Sequence, residues 1–183
     1  MVDEELNGTI SNLLKDNSLG LAFINSWTVE TFFRPHGITV LKKVLSHVID
    51  CTGIVFTING DLHWSVVLAV RMDTWCLYHV DSAETSSGDG LHNKRAEHLT
   101  KLLLESKLFG DKILLQPSWG HVLQKYEWEC GHYAIAAVET FIKSCGCTEG
   151  FSVNDFFDTL GITFQDLYNR IDASVPKRPS HGN

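Results

Sequence analysis

A chain of 183 residues, 44% of them hydrophobic, is long and apolar enough to form one domain with a substantial core. Its 15 basic against 22 acidic residues argue against nucleic acid as a partner, because phosphate binding needs concentrated Lys and Arg. No apolar run approaches the ~20 residues that a bilayer span requires, so no membrane partner is expected.

In chain order, Leu6, Ile10, Leu13 and Leu14 give a helical spacing over 3–16, ended by Asn17-Ser18 and Gly20. Val40, Leu41, Val44, Leu45 and Val48 predict a second short amphipathic helix. Gly53 to Asn59 is a β-branched run that stops at the turn dipeptide Asn59-Gly60. Trp64 to Val70 is nearly all apolar, as in a strand buried on both faces, and Trp75 to Val80 returns as its neighbour after Met72-Asp73. Asp81 ends that strand, before a polar loop from Ser82 to Gly90. An amphipathic helix over 93–109, a short strand over 112–116 and a loop from Pro117 to Trp128 follow. The most apolar helix spans about 130–143, and two helical segments over about 152–160 and 163–172 precede a tail rich in Pro, Ser and Gly. Helices around a small central mixed sheet predict an α+β domain over 1–175, with a disordered tail at 176–183.

Five cysteines stand at 51, 76, 130, 145 and 147, an odd and scattered set. With the acidic opening Met1-Val-Asp-Glu-Glu in place of a leader, free thiols in an intracellular setting, cytoplasm or nucleus, are expected. Cys51 and Cys76 lie in or beside apolar runs and read as packing. Cys145-Gly-Cys147 lacks a second ligand pair and reads as a helix end, so neither metal nor cofactor is expected.

Cys130 differs in its setting. A lone Cys at a helix start is more often a core residue than a reactive one. Here Gly131 follows it, leaving unobstructed backbone amides that favour an anion forming beside the sulfur. An ordinary thiol is only a few per cent ionised near neutral pH, so a base must be brought to it. His63 starts one strand of the 64–80 hairpin and Asp81 ends the other, which places the two side by side whatever the rest of the fold. The competing reading has His63 solvated and Asp81 capping its loop.

His63-Trp64, then Asp81-Ser82 after an aromatic strand, then Gln124 six residues before Cys130-Gly131, resembles the ubiquitin-like-protein protease family. That family includes the SUMO and NEDD8 proteases, with the adenovirus proteinase as a distant relative. The resemblance covers about residues 54–143 and implies that His63 is the general base, Asp81 its orienter, Cys130 the nucleophile and Gln124 an oxyanion donor. It also implies that Trp64, which otherwise reads as a core residue opening a buried strand, roofs a slot narrow enough for a Gly-Gly tail, with Trp27 as an opposite wall; Trp128, next to the nucleophilic segment and near Gly131, reads as a rim residue. Glu129 departs from the Asp that commonly precedes the family's Cys, and the segment before residue 54 lacks its Trp-Leu-Asn-Asp stretch.

The implied activity is a monomeric cysteine isopeptidase that cleaves after the C-terminal Gly-Gly of a ubiquitin-like modifier, its partner being that modifier and its conjugates. The same triad also serves a viral-type maturation endopeptidase or a YopJ-type acetyltransferase, while a non-enzymatic modifier reader would not need all four groups.

Overall fold

The computed structural model describes residues 3–15, 18–60, 62–83, 90–119, 124, 127–147 and 150–174. A five-stranded sheet runs β1 (Leu21–Ile24), β2 (Gly53–Gly60), β3 (His63–Arg71), β4 (Trp75–Val80) and β5 (Ile113–Trp119), in sequence order across the sheet. The central β2–β3–β4 meander is antiparallel, while β1 joins β2 and β5 joins β4 in parallel, so the sheet is mixed as expected.

Each face of the sheet is covered by helices. Along β3, Trp64, Val66, Leu68 and Val70 enter one core with α1 (Asp3–Lys15), α5 (Cys130–Cys145) and α6 (Val153–Ser174). Val67 and Ala69 enter a second core with α2 (Ser26–Phe32), α3 (Gly37–Leu45) and α4 (Leu91–Ser106). Burial on both faces is why β3 and β4 read as unbroken apolar runs rather than as alternating ones.

Five features differ from the sequence reading. β1 and α2 lie where no element is predicted. Asn25 separates them, its side chain accepting the Thr28 N–H at 2.9 Å and capping α2. The β2–β3 turn sits one pair later than the Asn59-Gly60 dipeptide suggests, because Gly60 itself pairs with His63. The segments over 152–160 and 163–172 form one helix, with Gly161 inside it. β5 runs on to Trp119 through an irregularity where Tyr78 pairs with Gln116 but Val80 with Trp119. Pro117, which has no N–H for the ladder, falls in that extra stretch. The tail at 176–183 and most of the loop from Ser82 to Gly90 lie outside the described residues.

Candidate active site

The hairpin does bring its two ends together. Val66 pairs with Val80, so the residues beyond them, toward His63 and Asp81, lie on adjacent strand ends. His63 Nε2–H donates to Asp81 Oδ1 at 2.6 Å, a short charge-assisted hydrogen bond. The same carboxylate oxygen accepts the Ala83 N–H at 2.9 Å, which fixes Asp81 as it fixes the ring. The residue before His63, Leu62, holds φ at 62°, a costly conformation for a bulky side chain, and is 93% exposed.

Cys130 is the first residue of α5, following a 3-10 turn at Glu127–Glu129, and it is buried. Its thiol is hydrogen-bonded to the His63 side chain. Since Nε2 of His63 is engaged by Asp81, Nδ1 is the nitrogen left for sulfur. The ring therefore bridges a carboxylate and a thiol.

Burial by itself would lower the pKa of His63. The hydrogen bonds to Asp81 and Cys130, and the negative charge on each, outweigh it and raise the ring from 6.5 to about 9. Burial likewise opposes ionisation of Asp81, yet His63 and the Ala83 amide hold its carboxyl below the ordinary range. Because His63 binds its proton more tightly folded than unfolded, it adds stability below about pH 6.5, and that contribution fades as pH rises through about 9.

His79 carries the opposite sign. Burial pushes it from 6.5 down to about 4, against the raising influence of Asp81 and Asn93. The unfolded chain takes up a proton there that the folded protein refuses, so stability falls as pH drops through that window. The expected loss from this ring is about 2 kcal/mol between about pH 7 and about pH 5. Urea unfolding at the two pH values measures it. A His79→Asn variant should show a shallower dependence, and an unchanged one would contradict this assignment.

Gln124 is clamped to the residue after Asp81. Ser82 Oγ–H donates to Gln124 Oε1 at 2.7 Å, and the Gln124 N–H donates to Ser82 O at 3.3 Å. With the amide oxygen committed to Ser82, the NH₂ end is the part of Gln124 that has hydrogens to donate. The neighbours of Gln124 at 120–123 and 125–126 lie outside the described residues.

The three tryptophans separate. Trp64 is 4% exposed and packs in the core cluster that contains Cys130. Trp128 is half exposed, its ring edge-on to His132 with centroids 6.2 Å apart. Trp27 is half exposed and donates its indole N–H to Asp3 at 3.2 Å, outside both core clusters. The β1 aromatic that packs against the Trp64 and Cys130 cluster is Phe23, for which the sequence reading has no role. Gly131 is buried in the first turn of α5.

Among the described residues, one group has metal-ligand types close together: His63, Asp81 and His92, whose ligand atoms all lie within 4.8 Å of one another. Both His92 nitrogens already have hydrogen-bond partners, Ser65 and the Gly60 carbonyl, and His63 Nε2 has Asp81. A cation would have to displace these bonds, so the donor set is better suited to protons than to metal.

Sequence reasoning gives no role to Ser65, His79 and His92, nor to Ser82 beyond its place in the Asp81-Ser82 pair. Ser82 had a signal, since it directly follows Asp81. The other three are polar residues in apolar or helical segments, and only the fold brings them together.

No protein-family model matches the chain, and neither does any curated protein sequence. Solved structures do match. The C-terminal Ulp1 protease domain in complex with Smt3, the yeast ortholog of SUMO, superposes with a TM-score of 0.62 at 14% identity, covering 93% of this chain and 77% of that one. The Xanthomonas campestris effector protein XopD bound to ubiquitin gives a TM-score of 0.61 at 17% identity, covering 88% and 90%. The central domain of the Legionella pneumophila protein Lpg1148 gives 0.57 at 14% identity, covering 93% and 98%. Across most of its length the chain thus has the fold of the ubiquitin-like-protein proteases.

Proposed function

We propose that this protein is a cysteine peptidase that cleaves after the C-terminal glycine of a ubiquitin-like modifier. The observation that carries this reading is the His63 ring held between the Asp81 carboxylate and the Cys130 thiol. Those contacts suit acyl transfer. Cys130 sulfur attacks the glycine carbonyl, and His63, holding the proton, delivers it to the leaving amine. Neutral His63 then takes a proton from water as that water attacks the thioester, which releases the modifier and restores the thiol. Asp81 keeps the proton on Nε2 and stabilises the imidazolium.

Gln124 supplies the side-chain donor to the oxyanion, fixed from behind by Ser82. Gln124→Ala is expected to lower kcat on the order of 10²–10³ with a small change in KM. Ser82→Ala, which leaves the donor but frees its amide, should show a smaller loss of the same kind. Steady-state kinetics on both variants decide this, and a Gln124→Ala rate equal to wild type would remove the assignment.

On this reading Trp64, buried in the same cluster as Cys130, and Gly131, the next residue, flank the approach to the sulfur, with the half-exposed Trp128 at its rim. Two structures sharing the fold are described with a modifier bound, Smt3 in one and ubiquitin in the other, and this supports a modifier as the partner here. Hydrolysis of ubiquitin, SUMO and NEDD8 carrying a C-terminal fluorophore tests the reading. At least one should be hydrolysed, and release from none of them would overturn it.

A further inference from the structure

Behind the His63–Asp81 pair lies a second run of buried polar groups that the peptidase chemistry does not use. Ser65 and His79 occupy the same sheet face as His63 and Asp81, two residues along each strand, and both are 1% exposed. The first turn of α4 covers them with His92, 6% exposed, and Asn93. His92 Nε2 lies 3.0 Å from the Gly60 carbonyl oxygen, and its Nδ1 lies 2.8 Å from Ser65 Oγ. Ser65 Oγ lies 3.0 Å from His79 Nε2, and His79 Nδ1 lies 2.8 Å from Asn93 Oδ1. At the open end of this run the His92 ring stands edge-on to His63, with centroids 4.6 Å apart and planes at 78°.

We propose that His92 is a positioning residue for His63, and that the run Asn93–His79–Ser65–His92 holds its ring in place and makes the site sensitive to acid. The proposal rests on the peptidase reading only in taking His63 as the base.

Proton counting gives the mechanism. A carbonyl oxygen only accepts, so His92 Nε2 carries hydrogen in either state. With the Asn93 oxygen toward His79, Nδ1–H of His79 donates to it and Nε2 accepts from Ser65. Ser65 then accepts from His92 Nδ1–H, which leaves His92 with both protons. Turning the Asn93 amide by half a turn reverses each bond and closes the run with both rings neutral. One proton and one amide rotation therefore separate two fully bonded forms.

The charges around His92 favour the neutral form. Burial, then the His63 imidazolium and Arg95, push its pKa down, while the Gly60 carbonyl and Asp81 push it up and the net shift is downward. The positive end of α4 acts in the same direction. Arg95 is itself paired with Glu30 at 3.0 Å, and His79, the remaining titratable neighbour among the described residues, is held neutral by burial. In acid, His92 gains a charge beside the His63 imidazolium, and repulsion shifts His63 away from Cys130.

The test uses two readouts: imidazole titration of His63 by NMR, and the pH dependence of Cys130 alkylation by iodoacetamide. His92→Phe keeps an aromatic edge but loses both hydrogen bonds. It should move the His63 titration and slow alkylation at neutral pH by about ten- to hundredfold. His92→Gln keeps both bonds but cannot charge, so its alkylation should persist to lower pH than wild type. Ser65→Ala, a milder change suited to the case in which His92→Phe does not fold, should shift the His63 titration in the same direction as His92→Phe. Folded Ser65→Ala and His92→Gln proteins with wild-type titration and wild-type acid limb would overturn the proposal. Should the fluorogenic modifiers fail as substrates, the peptidase reading falls, while the His63 titration still decides the role of His92.

Discussion

Cys130→Ala is expected to abolish modifier hydrolysis, a loss on the order of 10⁶ in kcat by analogy with removal of other acyl-transfer nucleophiles. The fold should survive, because the change removes one buried sulfur from the end of a helix and introduces nothing larger. A second consequence follows from the electrostatics. Both the hydrogen bond to Cys130 and its negative charge hold the His63 pKa up, so their removal should bring the ring's titration down from about 9. Kinetics with an NMR titration of the same sample read both effects. A variant that hydrolyses within about tenfold of wild type would contradict the role of Cys130 as nucleophile.

Asp81→Asn is the second large effect, expected on the order of 10⁴ in kcat. The amide is close to isosteric, but one oxygen accepts from both His63 and the Ala83 N–H, so an NH₂ turned toward the ring gives up the Ala83 bond. What changes is the proton. An amide N–H turned toward the ring donates to Nε2, which moves the imidazole hydrogen to Nδ1, where it faces the sulfur and cannot accept from it. The charge that helps hold His63 near pKa 9 is also lost, so the His63 titration should fall. Stability responds as well. Asp81 is more acidic folded than unfolded, so its contribution is present above the ordinary carboxylate pKa and is lost as pH falls through the lowered one. The variant should lack that component of acid denaturation. A rate near wild type, with an unshifted His63, would remove Asp81 from the site.

The parts of this molecule that were legible in sequence are those set by period and adjacency. β3 and β4 were readable because burial on both faces makes their apolar runs continuous. A hairpin between them forces its outer ends together, which is why His63 and Asp81 could be paired from 18 residues of spacing alone. α5 was visible through its apolar character, and its first residue is the cysteine. β1 was not visible, since a four-residue parallel edge strand is defined by its partner β2 and not by any pattern of its own. α2 has only seven residues, and its best marker, the Asn25 cap, is a single residue among several loop-forming types. Gly161 falls between the two expected segments, but packing of Phe156, Leu160 and Phe164 in the core carries α6 through it. Hardest to foresee was His92, one of nine histidines, whose significance comes from the ring it faces across two elements.

Capture by modifiers carrying a C-terminal electrophile, read as intact mass and then as a modified peptide, tests the role of the Cys130–His63–Asp81 cluster most directly. Ubiquitin, SUMO and NEDD8 propargyl probes would each be incubated with the wild-type protein, Cys130→Ala and His63→Ala. The expected result is a one-to-one adduct on Cys130 with at least one probe, absent in Cys130→Ala and strongly slowed in His63→Ala. No adduct with any probe, or an adduct that persists without the Cys130 sulfur, would contradict it.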